Sequence, residues 1–188
     1  MLLAGSAGAV PLADGNSLVI GAYTVTVNTC SPSCAGNEFT AVGTTGFVIT
    51  GPGGGTLLDT DSGTGSADIS VQFEVTTASA IQNMVQLTVG GSYSGTGLAK
   101  VDETAQDAGF SFEESRTGDA GGPSVTIPYD MGPYSDIFLT KDISANPGED
   151  GTAIITSVTE LFAVPEPAGV AAFGIAFAAL LVGRRRAR

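Results

Sequence analysis

Hydrophobic and polar residues alternate along this chain over short runs, and the alternation predicts strands. In "DISVQFEV", Ile69, Val71, Phe73 and Val75 fall on one face and Ser70, Gln72 and Glu74 on the other. "MVQLTVG" repeats the pattern, with Val85, Leu87 and Val89 against Gln86 and Thr88. A period of two with one apolar face marks a half-buried antiparallel strand. The stretch between the two runs, Ala78-Ser79-Ala80, is expected to be a hairpin connection. "YTVTVNT" places Val25 and Val27 on one side, "TGFVIT" is a short buried run, and "GFSFEE" offers Phe110 and Phe112. "PSVTIPYD" alternates through Val125, Ile127 and Tyr129. Pro128 has no N–H to give to a ladder, which assigns this run to a sheet edge. "SDIFLT" and "TAIITSVTELFAV" complete the series.

About eight to ten strands follow from these signals, and no amphipathic helix precedes residue 163. A sheet with one apolar face needs a second layer to cover it. The expected fold is therefore all-β, an antiparallel β-sandwich, with a jelly roll as one arrangement open to it and an open barrel as the alternative. No fixed-period repeat is visible, which argues against a solenoid. The 188 residues suffice for one such domain with short appendages. The division expected is a signal-peptide remnant at 1–13, the β-sandwich at 14–162 and a distinct C-terminal segment at 163–188.

That last segment breaks the pattern. Residues 168–183 contain no charged or strongly polar side chain. As a helix they would span ~24 Å at ~1.5 Å per residue, against ~30 Å of bilayer hydrocarbon. Snorkelling arginines at one end and slight membrane thinning close the difference, so a single C-terminal transmembrane helix is expected. Arg184, Arg185, Arg186 and Arg188 follow it directly. Positive charge flanking a span stays on the cytoplasmic side, so these four set the topology and everything before Pro165 lies outside. Pro165 and Pro167 push Val164 and Glu166 towards extended backbone, the form a protease active site accepts. At the other end, Leu2 and Leu3 precede Ala7-Gly8-Ala9, a small-x-small pattern that a signal peptidase accepts. The apolar stretch there is short and lacks a basic n-region, so a start upstream of Met1 is expected.

Val164-Pro165-Glu166-Pro167, a short apolar span and a terminal Arg cluster together resemble the PEP-CTERM sorting signal of exported proteins of Gram-negative bacteria. The resemblance covers about the last 25 residues. It implies that the chain is a substrate of an exosortase, a membrane-embedded Cys-dependent protease or transpeptidase acting near the motif. It also implies export across the inner membrane and membrane attachment through residues 168–183 before processing. The implied destination is the cell surface or an extracellular exopolysaccharide or biofilm matrix. It says nothing about the domain the signal carries.

Charge agrees with export. The net charge is −12, yet residues 1–162 hold only Lys100, Arg116 and Lys141 against eighteen acidic residues, a net −15. Such a body repels nucleic-acid phosphates and anionic lipid, so no nucleic-acid partner is expected. Cys30 and Cys34 have no second pair and no His to complete a zinc site, and in an exported chain they suit a local disulfide around Ser31–Ser33.

Candidate chemistry is sparse. With no His, neither a Ser-His-Asp nor a Cys-His arrangement exists. Asp102-Glu103 and Glu113-Glu114 are carboxylate pairs of the type a glycosidase uses. Neighbours on a strand point to opposite faces, however, so these are read as solvated charges and no catalytic residue is expected. "LLDTDSGTGSAD" sets Asp59, Asp61 and Asp68 around Gly63 and Gly65, hard oxygen ligands that make them the calcium candidates. "NPGEDGT" reads as a turn. Tyr129 and Tyr134, near Asp130 and Asp136, are the aromatic candidates for sugar contact, although the chain has no Trp. The expectation is an exported non-enzymatic protein; the alternative is a carbohydrate- or calcium-binding module delivered by the same signal.

Overall fold

A computed structural model of the chain describes residues 8–109 and 112–162; the side chains of 78–85 and 126–133 lie outside the description, as do the motif at Val164–Pro167, the apolar run 168–183 and the Arg cluster. Eleven strands run through the described residues: β1 Val10–Pro11, β2 Ser17–Ile20, β3 Tyr23–Ser31, β4 Glu38–Val42, β5 Gly46–Thr50, β6 Leu58–Asp61, β7 Ala67–Ser94, β8 Leu98–Asp107, β9 Glu113–Asp119, β10 Val125–Asn146 and β11 Thr152–Phe162. All pairings are antiparallel. No helix among the described residues is long and apolar enough to cross a membrane.

The ladder is continuous, yet it folds over to make two layers. The first layer has the order β2-β3-β7-β10-β8-β9 and uses the first half of β7 with the second half of β10. The second has β1-β4-β5-β11-β7-β10, with β6 continuing the β5 edge of β11, and uses the opposite halves of the same two long strands.

Thus the hairpin expected at Ala78-Ser79-Ala80 does not exist. β7 runs unbroken through 28 residues and passes there from one layer to the other. The reason is local: Thr76 to Gln82 contain no Gly, Pro, Asn or Asp to make a tight turn. The irregular steps fall instead on β10, between Tyr129 and Tyr134 and between Tyr134 and Asp136. The first half of β10 pairs with β7 alone, so Pro128 stands on an edge.

Alternation delivers the core. Val25, Val27, Val71, Phe73, Leu139 and Ile143 point inward from the first layer and Phe39, Phe47, Ile49, Leu87 and Ile155 from the second, all fully buried. Phe47 meets Phe73 across the layers at a centroid separation of 5.0 Å and Phe162 within its own layer at 6.1 Å. Each such pair adds about 0.5–1.5 kcal/mol beyond its buried area. The fold begins earlier than the division at residue 14. Val10–Pro11 pairs with Glu38–Phe39, and Leu12 is buried in the core. The small-x-small pattern ends at Ala9, one residue before β1.

Gly46 lies opposite Leu161 where β5 meets β11. A Cβ there would come within 2.1 Å of the Glu160 carbonyl oxygen. Gly46→Val is expected to cost roughly 2–3 kcal/mol through overpacking, seen as a lower urea midpoint at unchanged m-value.

Candidate functional site

Four strands each bring one charged residue to a common inward cluster. On β8 it is Glu103 between Val101 and Ala105, on β9 Arg116, on β10 Lys141 between Leu139 and Ile143, and on β11 Glu160 between Val158 and Phe162. Lys141 stands directly opposite Glu103, and Glu103 directly opposite Arg116, so three of them form a row across the first layer. Glu160 meets this row from the second layer. Lys141 Nζ donates to Glu103 Oε2 and Glu160 Oε2. Arg116 Nη2 donates to Glu103 Oε1 and, at 2.6 Å, to Glu160 Oε1. Side-chain exposure is 2% for Arg116 and nil for the other three. Lys141 Nζ also lies 6.0 Å from the Phe47 ring centroid.

The electrostatics follow from burial. Desolvation, then the charge on Glu103, pushes the Glu160 carboxyl up to about 8, against the pull of Lys141 and Arg116. Glu103 also suffers desolvation, but Lys141 and Arg116 outweigh it and hold that carboxyl below its ordinary value. A one-residue slip of β8 or β10 would turn these charges outward and apolar neighbours with them, so the cluster ties register to layer packing.

This overturns the reading of Glu103 as a solvated charge: it points into the sandwich, while its neighbour Asp102 points out and pairs with the exposed-face Lys100. Glu113 and Glu114 are both exposed. Arg116 and Lys141 are withdrawn from the surface, leaving Lys100 as the one outward cation among the described residues.

The remaining sequence candidates are scattered. Asp61 Oδ1 accepts from the N–H groups of Gly63 and Thr64 at 2.8 and 3.0 Å, holding its own turn. Asp59, Asp61 and Asp68 are exposed, and no group of three or more metal-ligating acidic or Cys side chains forms among the described residues. Tyr134 stacks on Phe112 at 5.3 Å, half-buried against the core, so its ring is not a free platform. The Tyr129 and Asp130 side chains lie outside the description. Cys30 and Cys34 are joined as a disulfide with their Cα atoms 5.9 Å apart. Together with Pro11–Asp14 their loop lines an open cleft of about 460 Å³.

The two outer faces differ. By register, the first layer presents Asp68, Glu74, Asp102, Asp119 and Asp142 outward. The second presents Thr40, Val48, Thr159 and Thr88 as direct cross-strand neighbours. Thr88 Oγ1 then hydrogen-bonds Ser124 Oγ at 2.7 Å. Sequence reasoning missed both the buried cluster and this hydroxyl row.

No protein-family profile matches the chain, and no curated protein matches it. Among solved structures it is similar to a family 61 carbohydrate-binding module determined in complex with beta-1,4-galactotriose, at 13% identity, with 73% of this chain and 86% of that chain covered and a TM-score of 0.39. It is also similar to a family 29 carbohydrate-binding module at 12% identity, covering 80% and 92% with a TM-score of 0.33. The family 11 module of a cellulosomal cellulase of Clostridium thermocellum aligns at 10% identity, covering 86% and 99% with a TM-score of 0.27. At this level of similarity neither a ligand nor a site is transferred.

Proposed function

We propose that this chain is an exported, non-enzymatic protein whose C-terminal segment is a sorting signal for an exosortase, and that it works at the cell surface or in an extracellular polysaccharide matrix. One observation carries the reading. β11, the last strand among the described residues, runs to Phe162 with partners on both edges, and Val164-Pro165-Glu166-Pro167 begins two residues later in the sequence. The described fold and the signal-like motif therefore share no residues. A protease acting at the motif would release or transfer a finished domain. Removal of the N-terminal stretch after Ala9 would likewise leave β1 whole.

Intact-mass measurement of the mature protein from its host tests this. The expected mass starts near Val10 and ends near Pro165–Pro167. A mature form still carrying Arg188 would overturn the processing.

A second reading, a carbohydrate- or calcium-binding module delivered by the same signal, gains its carbohydrate half from the hydroxyl row at the centre of the second layer's outer face. Calcium gains no such support from Asp59, Asp61 and Asp68.

A further inference from the structure

We infer that the outer face of the second layer is a docking surface for an extended, uncharged polysaccharide, an inference that rests on the second reading above and gives it a place and a ligand class. The row Thr40–Val48–Thr159–Thr88 crosses β4, β5, β11 and β7, stepping by about 4.8 Å from strand to strand. Ile154 and Leu161 lie on the same side of β11, each next to an inward-facing buried neighbour. Hydroxyls interleaved with aliphatic patches match the alternation of O–H and C–H surface along a sugar chain.

The bulge in β11 enriches the face. Thr156 is the extra residue between the Ile155–Gly91 and Ser157–Gly90 pairs. A Cβ on Gly90 would lie 2.5 Å from Ser157 Oγ and 3.0 Å from Thr156 Oγ1. Only a residue without a side chain leaves both hydroxyls crowded onto the outer surface, and Thr156 is exposed there. A bulge of this kind re-aims side chains, as bulges beside active sites do.

Charge selects the occupant. Among the described residues, the outward carboxylates of this layer stand at its margins, Glu38 on β4 and Asp59 and Asp61 on β6. A polyanion is repelled by the net −15 of residues 1–162. A cationic partner is drawn to the carboxylates of the opposite face. A second copy brings the same net charge and the same acidic margins. A neutral polymer meets none of these penalties and gains from many individually modest hydrogen bonds.

Affinity electrophoresis of the full chain through gels containing a neutral β-glucan, mannan or galactan, with polygalacturonate as the anionic comparison, tests the assignment. Retardation relative to a polymer-free gel is expected with at least one neutral polymer and not with polygalacturonate. Thr156→Glu and Thr159→Glu should weaken it about tenfold, while Ser115→Glu on the opposite face should leave it unchanged. Thr159→Val keeps the shape without the hydroxyl and should show a smaller loss, which guards against a folding defect in Thr159→Glu. Neutral-polymer binding that survives the Thr156 and Thr159 variants, or is lost in Ser115→Glu, would overturn the placement and leave the second reading standing. Retardation by no neutral polymer would overturn both. Concentration-dependent dimerisation abolished by Thr156→Glu would overturn it in favour of self-association.

Discussion

Lys141→Met is expected to lose about 3–5 kcal/mol of stability, the usual cost of removing one partner from a buried ionic cluster. Methionine reproduces the straight aliphatic stem, so little packing is lost. What is lost is a cation that contacts Glu103 and Glu160 at once, in a place where neither carboxyl reaches water. Arg116 alone then faces both. Urea unfolding measures the loss directly. Combining Lys141→Met with Glu160→Leu should recover part of it, because the second change removes one of the stranded acids. The non-additivity of that pair is the coupling between the layers. A Lys141→Met variant within about 1 kcal/mol of the parent, the range of exposed ion pairs, would show that the cluster is not sealed as described.

Between about pH 5 and pH 8 the fold is expected to lose stability as the pH rises, and Glu160→Gln to show little of that slope. Glu160 is raised from 4.5 to about 8 by burial and by the charge on Glu103. The folded chain therefore holds a proton that the unfolded chain releases across this window. Stability from this group is complete below 4.5 and is lost as the pH climbs through about 8. The limiting slope is about 1.4 kcal/mol per pH unit. Glu103 has the opposite sign: held low by Lys141 and Arg116, it contributes above its ordinary value and fails as the pH falls through its folded one. Thermal melts across pH 5 to 8.5 would read the difference between parent and Glu160→Gln. A parent curve that rises with pH would overturn the assignment of the retained proton to Glu160.

Much of the fold was legible in the alternation itself. The inward phases of β3, β7 and β11 can be read from "YTVTVNT", "DISVQFEV" and "TAIITSVTELF" without coordinates, whereas β8 is too polar to stand out as a strand. The same phases carry the signal for the buried cluster. Glu103, Lys141 and Glu160 each occupy a slot that alternation reserves for an apolar side chain, with Arg116 on the inward phase of its own short strand. Two cations and two acids so misplaced call for one another. Which strands lie side by side was not legible, because β10 finds β8 and β7, and β11 finds β5, across long loops of sequence. The hydroxyl row fails for the same reason, since Thr40, Thr88 and Thr159 are neighbours only once register is known. The passage of β7 between layers was hidden because two apolar runs with a polar gap look like a hairpin, and only the missing turn residues say otherwise.

The position of the last strand has a mechanical consequence. β11 is gripped by β5 and β6 on one edge and by β7 on the other, and in the sequence the terminal segment follows it directly. If the molecule is tethered by that end, fluid drag on the domain enters at a central strand. The hydrogen bonds on both flanks then bear the load in parallel, instead of parting one after another from an edge. Resistance to being pulled apart depends on the rate of unfolding under load rather than on equilibrium stability, and a strand held on two sides is well placed to keep that rate low.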